Sequence, residues 1–256
     1  MTLMRLVTLL FCVFVALPLV WLIQAAFLPA EALVRANIAT FGFSLHNFQE
    51  LPGSGLFRAL GISMGATALA VAGQLAGGLG AAYAIRSGLR VRAVILALLA
   101  LPGELLLVPL YRQLGSAGLL DTFWVLVLPF LASPLVIFLL LQSLQRLDWH
   151  LVEAARIDGA GETRVLFSIV APALRPELLA TGVLAFAAHW NLVLYPRVMT
   201  GEKLWTVQAF LVELLRSHQF EWGLLGAAAL AASLPVVVLF VIFEKRIIEV
   251  FEAGFR

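Results

Sequence analysis

Long apolar runs alternate with short polar intervals along the chain. Runs of about 20 residues or more, the length a helix needs to cross about 30 Å of hydrocarbon, fall at residues 6–27, 57–85, 91–114, 123–144, 177–198 and 224–243. None shows the two-residue alternation of a barrel strand, so each run must satisfy its own backbone as a helix. The pattern predicts an all-α polytopic membrane protein with six transmembrane helices. It divides into a first helix and following loop (1–56), a core (57–247) and a tail (248–256).

Two runs carry features beyond apolarity. The second contains Gly65, Gly73, Gly77, Gly78 and Gly80 among many alanines, small residues that let helices approach closely in lipid. The third is broken by Pro102-Gly103, with Glu104 immediately after and Pro109 further on. A carboxylate beside a helix break either faces a cavity or reaches to the membrane surface, and the sequence leaves both open.

The polar intervals differ in grammar. Residues 28–55 contain "PAEALVRANIATFGFSLHNFQELPGSG", whose Pro, Gly and Asn read as loop punctuation around short ordered pieces. Residues 146–175, which with Pro176 contain "VEAARIDGAGETRVLFSIVAPALRP", carry Arg146, Asp148, Glu153, Arg156, Asp158, Glu162, Arg164 and Arg175, and at roughly 2.5–3.5 kcal/mol for each Asp, Lys or Arg at a bilayer centre they cannot form a span. Asp148 is placed to cap a short helix with Leu151, Ala154, Ala155 and Asp158 on one face. Gly159 suits the left-handed position ending that helix, and a second helix starts after Gly161 with Glu162 in its first turn. Pro172 is expected to stop the second helix, and Pro176 suits the opening of the fifth span. The small Ala154 and Ala155 let the first helix enter a cleft on another protein, with Glu153, Arg156 and Asp158 as polar rim contacts.

Composition fits this picture: 62% hydrophobic and 12% charged residues with mean hydropathy +1.01, against roughly 45–50% and about 25% in soluble domains. A sequence pI near 9.0 raises nucleic-acid binding, but the basic residues flank spans instead of forming a patch with aromatics. Placing both termini in the cytoplasm gathers Arg5, Arg86, Arg90, Arg92, Arg146, Arg156, Arg164, Arg175, Lys245, Arg246 and Arg256 on one side, the orientation favoured for Lys and Arg. Arg35, Arg58, Arg112, Arg197, Lys203 and Arg216 fall on or near the other. The first run is longer than a signal-peptide core and lacks a clear cleavage site, so it reads as a retained span. The single Cys12 rules out an internal disulfide, and dispersed His46, His150, His189 and His218 show no metal-ligand spacing.

Glu153-Ala154-Ala155, then Gly159, Ile169 and Pro172 at their spacing, with the Asp158-Gly159-Ala160 turn, resemble the EAA signature of permease subunits of ATP-binding-cassette importers. Ala171 stands where that family commonly has Leu, and Gly161 where Ser or Thr is usual. "PGELLLVPLYRQLGSAGLLDT", "LPFLASPLVIFLL" and "HWNLVLYP" are similar to the second permease of the carbohydrate-uptake, maltose-transporter-like group, over residues 44–247. The resemblance implies a type I importer permease fold and a cytoplasmic coupling loop of Glu153, Ala154, Ala155, Asp158, Gly159, Ala160, Ile169 and Pro172. It also implies a sister permease, two ATPase subunits carrying ATP and Mg, and an extracytoplasmic solute-binding protein that delivers a carbohydrate. The chain itself should be non-catalytic, with no cofactor, metal or nucleic acid. In agreement, no Gly-Lys phosphate loop exists, since Lys203 and Lys245 each follow Glu.

Glu104 beside its helix break, and Trp190, Asn191 and Tyr195, which place polar and aromatic groups at membrane depth in the fifth span, are candidates for the substrate path. Positions 187, 190, 191 and 194 share a helical face, and an aromatic face beside an amide suits a sugar's ring and hydroxyls. His189 reads as a helix-packing hydrogen bond, while Asn191 could equally bond the partner permease. The alternative function, an autonomous secondary transporter or channel, would ordinarily show internal repeats and more intramembrane charge; a membrane enzyme would show converging carboxylates and histidines.

Overall fold

The computed structural model describes residues 2–28, 43–217 and 221–254, with no strand among them. Its helices are α1 (Thr2–Phe27), α2 (His46–Ser54), α3 (Leu56–Arg86), α4 (Arg92–Leu99), α5 (Leu107–Ser116), α6 (Pro134–Arg146), α7 (His150–Ile157), α8 (Glu162–Val165), α9 (Arg175–Trp190), α10 (Leu194–Met199), α11 (Val207–Ser217) and α12 (Trp222–Gly254). Four stretches are long and apolar enough to cross a membrane: Met4–Phe27, Leu56–Arg86, Phe123–Arg146 and Trp222–Lys245.

The other two expected spans are not straight. Arg92–Leu99 and Gly103–Ser116 meet at 96°, because Pro102 is extended (ψ 127°) and a 3-10 turn, Gly103–Leu106, follows before α5. A proline disfavours helical geometry in the residue before it and offers no N–H to continue the ladder. The fifth span, expected as one helix, divides into α9 and α10, with Asn191 at the C-cap of α9. The fourth begins as two 3-10 turns, Phe123–Leu126 and Leu128–Phe130, and becomes α-helical at Pro134, where Ser133 Oγ accepts the Val136 N–H at 3.4 Å. Helix α12 extends through Gly254, so residues 248–254 of the expected tail are helical.

The chain forms two compact units, residues 1–61 with 206–235 and residues 62–205 with 236–256. In the first, buried Asn47 donates through Nδ2 to the Ala26 and Leu28 carbonyls, both at 2.9 Å, satisfying the end of α1 from α2. Asn47, expected as loop punctuation, instead ties two helices together. Residues 29–42 of the expected outer loop lie outside the described residues.

In the second unit the glycines of α3 do different things. A Cβ on Gly78 would lie 2.8 Å from Val136 Cγ1 and one on Gly73 2.5 Å from Leu131 Cδ2, whereas Gly80 has nothing within 4 Å. The small residues at 73 and 78 therefore permit close passage of the fourth span. Leu79, Ala82, Val136, Leu140, Leu144, Val152 and Val165 close a core at one end of this unit.

That core anchors the polar interval at 146–175. Asp148 Oδ1 accepts the His150 N–H at 3.1 Å at the start of α7. At its end, Ala160 N–H bonds Ala155 O at 2.9 Å and Gly159 N–H bonds Arg156 O at 3.0 Å, the paired pattern that closes a helix on a left-handed residue; Gly159 has φ 82°. Helix α8 opens with Glu162. Pro172, however, does not stop it: helical turns run through a π-helical stretch, Leu166–Val170, and a last turn, Ala171–Ala173. The wider turn shifts the hydrogen-bond register so that the missing N–H and the ring are accommodated. The direction changes at Leu174 (φ −98°, ψ 18°), with 81° between Glu162–Ala173 and Arg175–Trp190.

Candidate functional site

Two regions of the second unit carry chemistry. The first is the joint between α7 and α8. Val152 is fully buried and Ala155 packs beside it, so α7 lies on the core by this edge. Leu151, Glu153, Ala154, Ile157 and Asp158 face outward, with Ile157 86% exposed. The expected face of Leu151, Ala154, Ala155 and Asp158 is thus split, because Ala155 turns inward with Val152. Phe167 adds a further apolar side chain, 59% exposed, outside the spans.

Arg156 departs from its expected place at a rim. It forms an ion pair with Glu162 in which Nη2 donates to Oε2 at 3.0 Å, a charge-assisted hydrogen bond, while Nε lies 2.9 Å from Oε1 without its N–H aimed at that oxygen. The same Nη2 donates to Tyr83 Oη at 3.1 Å, and Tyr83 Oη–H donates to Glu162 Oε2 at 2.5 Å. Trp149 packs against the Tyr83 ring at 5.8 Å and carries the Arg86 guanidinium 4.4 Å over its face. Helices α7 and α8 are thereby braced on the end of α3. The hydrogen bonds from Arg156 and then Tyr83 hold the Glu162 carboxyl below its ordinary range, and the Glu162 hydrogen bond raises Arg156 above its own.

Ala160 and Ile169 are half-buried, Ala160 against the same core, and Pro172 is exposed. Exposed Glu153 makes a 3.5 Å contact to exposed His150 Nδ1. Tyr83, Arg86 and Trp149 were missed as parts of this joint; their signal was an aromatic and a cation closing the second span and an aromatic opening the loop.

The second region is a cavity of about 540 Å³ beside the bend at Pro102, lined among others by Glu104, Leu110, Phe130, Pro134, Asn191 and Tyr195. Glu104 thus opens on a cavity, one of the two readings left open, and three of the four expected path residues meet there. The fourth does not. Trp190 is 2% exposed and stacks on Phe186 at 5.3 Å. The expected shared face fails because α9 ends at Trp190 and Asn191 caps it, its Nδ2 donating to Ala187 O at 2.8 Å. Tyr195 presents its ring, while its hydroxyl donates to Val125 O at 2.9 Å. His189 is a packing residue: Nδ1 lies 3.0 Å from Thr67 Oγ1 and Nε2 3.1 Å from Leu126 O. A carbonyl can only accept, so Nε2 carries the proton and Nδ1 accepts from Thr67. Among the described residues no group of His, Cys, Asp and Glu is placed to hold a metal ion.

Residues 73–249 match the family model for the binding-protein-dependent transport system inner membrane component. The chain belongs to this family. It is a permease subunit of the inner membrane, and both regions lie within the matched residues. It is 28% identical to the lactose transport system permease protein LacG of Rhizobium radiobacter, over 91% of this chain and 88% of that one. It is 27% identical to the trehalose transport system permease protein SugB of Mycobacterium tuberculosis, over 93% and 91%. With the arabinooligosaccharides transport system permease protein AraQ of Bacillus subtilis it shares 29% identity over 63% of this chain and 58% of that protein. The fold matches a chain of a bacterial ABC transporter involved in the import of the acidic polysaccharide alginate, at TM-score 0.81 and 17% identity, covering 95% of this chain and 94% of the other.

Proposed function

We propose that this permease forms, with a sister permease, the path for a sugar or sugar-like solute, driven by ATP hydrolysis in two partner ATPase subunits and supplied by an extracytoplasmic binding protein. The observation that carries the reading is the braced joint. Its outward face exposes the apolar Leu151, Ala154 and Ile157 beside the carboxylates of Glu153 and Asp158, on a segment too charged to enter lipid, and its inner face is tied to α3 by the Arg156, Glu162 and Tyr83 contacts. A partner docking on that face would move α3 and α9 with it. Both termini and the joint are assigned to the cytoplasm by the Lys and Arg distribution.

The sugar class is supported by the relatives named for lactose, trehalose and arabinooligosaccharide transport and by the cavity, where the Glu104 carboxylate and Asn191 amide face an otherwise apolar wall with Tyr195 and Phe130. Such a lining suits hydroxyls and an apolar ring face. ATP and Mg belong to the partner subunits. Expressed with its neighbouring transport genes, the tagged chain should bring down a second permease and an ATPase, and proteoliposomes of the complex should take up a sugar only with ATP and binding protein. Uptake by the chain alone down an ion gradient would instead identify a secondary transporter.

A further inference from the structure

A third feature lies outside both regions. The end of α3, the turn after it, the start of α4 and the end of α6 border an open pocket of about 700 Å³, lined among others by Arg86, Arg90, Arg92, Leu89, Leu141 and Gln145. The chain builds it locally. Leu89 N–H bonds Ala84 O at 3.0 Å and Gly88 N–H bonds Ile85 O at 3.2 Å, closing α3 on Gly88 in the left-handed region (φ 123°). That turn brings Arg90 and Arg92 to the same pocket as Arg86, whose guanidinium lies over the Trp149 ring. No carboxylate lines the pocket, and among the described residues none of the three arginines makes an ion pair.

Three arginines lining one pocket with no carboxylate among its lining residues favour an anion there. Their depth says which kind. Arg86 ends a 31-residue apolar helix, placing the pocket at the membrane surface, and from it Val94, Leu98 and Leu101, 56%, 42% and 49% exposed, run at helical spacing along α4 and beyond. We propose that the pocket binds the phosphate headgroup of an anionic phospholipid, with its acyl chains along Val94, Leu98 and Leu101. Basic pockets at the ends of membrane helices recognise such headgroups by charge, and their neighbouring apolar surface holds the chains.

Native mass spectrometry of the full chain in zwitterionic detergent, titrated with phosphatidylglycerol or phosphatidylcholine, tests this. Arg90→Gln with Arg92→Gln should weaken phosphatidylglycerol binding on the order of tenfold or more and leave phosphatidylcholine binding unchanged; Arg90→Lys with Arg92→Lys should keep most of it. Arg164→Gln with Arg175→Gln, which removes the same charge outside the pocket, should have little effect. If the paired glutamine variant does not fold, Arg90→Gln alone carries the test, with about fivefold weaker binding expected. Equal phosphatidylglycerol binding by variant and parent, or equal loss in the Arg164 and Arg175 control, overturns the proposal. So does displacement of phosphatidylglycerol by millimolar inorganic phosphate, which would assign the pocket to a free anion.

Discussion

Replacing Gly159 by valine isolates the backbone geometry of the joint. The residue sits at φ 82°, and a Cβ built there meets nothing within 4 Å, so the cost arises from conformation alone and not from a clash. An L-residue in the left-handed region costs roughly 1–2 kcal/mol, and a β-branched one falls at or above the top of that range. About 2 kcal/mol corresponds to about a thirtyfold shift away from the observed joint. Asparagine, which tolerates this region far better, serves as the control for side-chain size. In proteoliposomes containing the partner subunits and binding protein, Gly159→Val should reduce uptake per ATP hydrolysed by more than about tenfold, with normal membrane insertion, while Gly159→Asn should stay within about threefold. The reasoning fails if valine transports like the parent. It fails equally if asparagine loses as much as valine, because the decisive property would then be side-chain volume against a partner.

Other consequences can be measured separately. His189→Phe should lower unfolding stability in detergent by about 1–3 kcal/mol, since the Leu126 carbonyl and Thr67 hydroxyl lose their partner; additivity with Thr67→Val in a double-mutant cycle would show that the pair is not coupled. Gly78→Ala should cost about 1–3 kcal/mol by forcing a Cβ against the stiff, buried Val136, and Val136→Ala in the same chain should recover much of it. Asn191→Leu should reduce uptake without reducing insertion, through loss of the α9 cap and of the amide at the cavity; unchanged uptake would remove Asn191 from the path. The depressed Glu162 carboxyl makes the joint pH-sensitive. Its stabilisation is complete above the ordinary carboxylate range and is lost as pH falls through the lower folded value, so hydrogen-exchange protection over residues 150–165, taken relative to the intrinsic rate at each pH, should fall in acid, and Glu162→Gln should abolish that dependence.

The local features of this protein were legible because a few adjacent residues determine each. Apolar run length set the membrane class, Pro102-Gly103 marked the bend, and Gly159 announced its left-handed turn, each through backbone restrictions that act within one or two turns. Glu104 beside its helix break could be assigned a polar surrounding, though not which one. What the tertiary structure alone decided are rotations and partners. Arg156 looked like a rim charge because nothing nearby in sequence reveals Tyr83, which lies 73 residues away along the chain. Trp190 and Asn191 would share a face only on a continuous helix, and a one-residue change in where α9 ends sends the indole into the core and the amide toward the cavity. The π-turn before Pro172 is similarly invisible in composition, since it answers to how Val165 and Val170 must both reach the same core. Spacing along a chain specifies which turn a residue occupies; packing between helices fixes which way each turn faces, and side-chain chemistry depends on that direction.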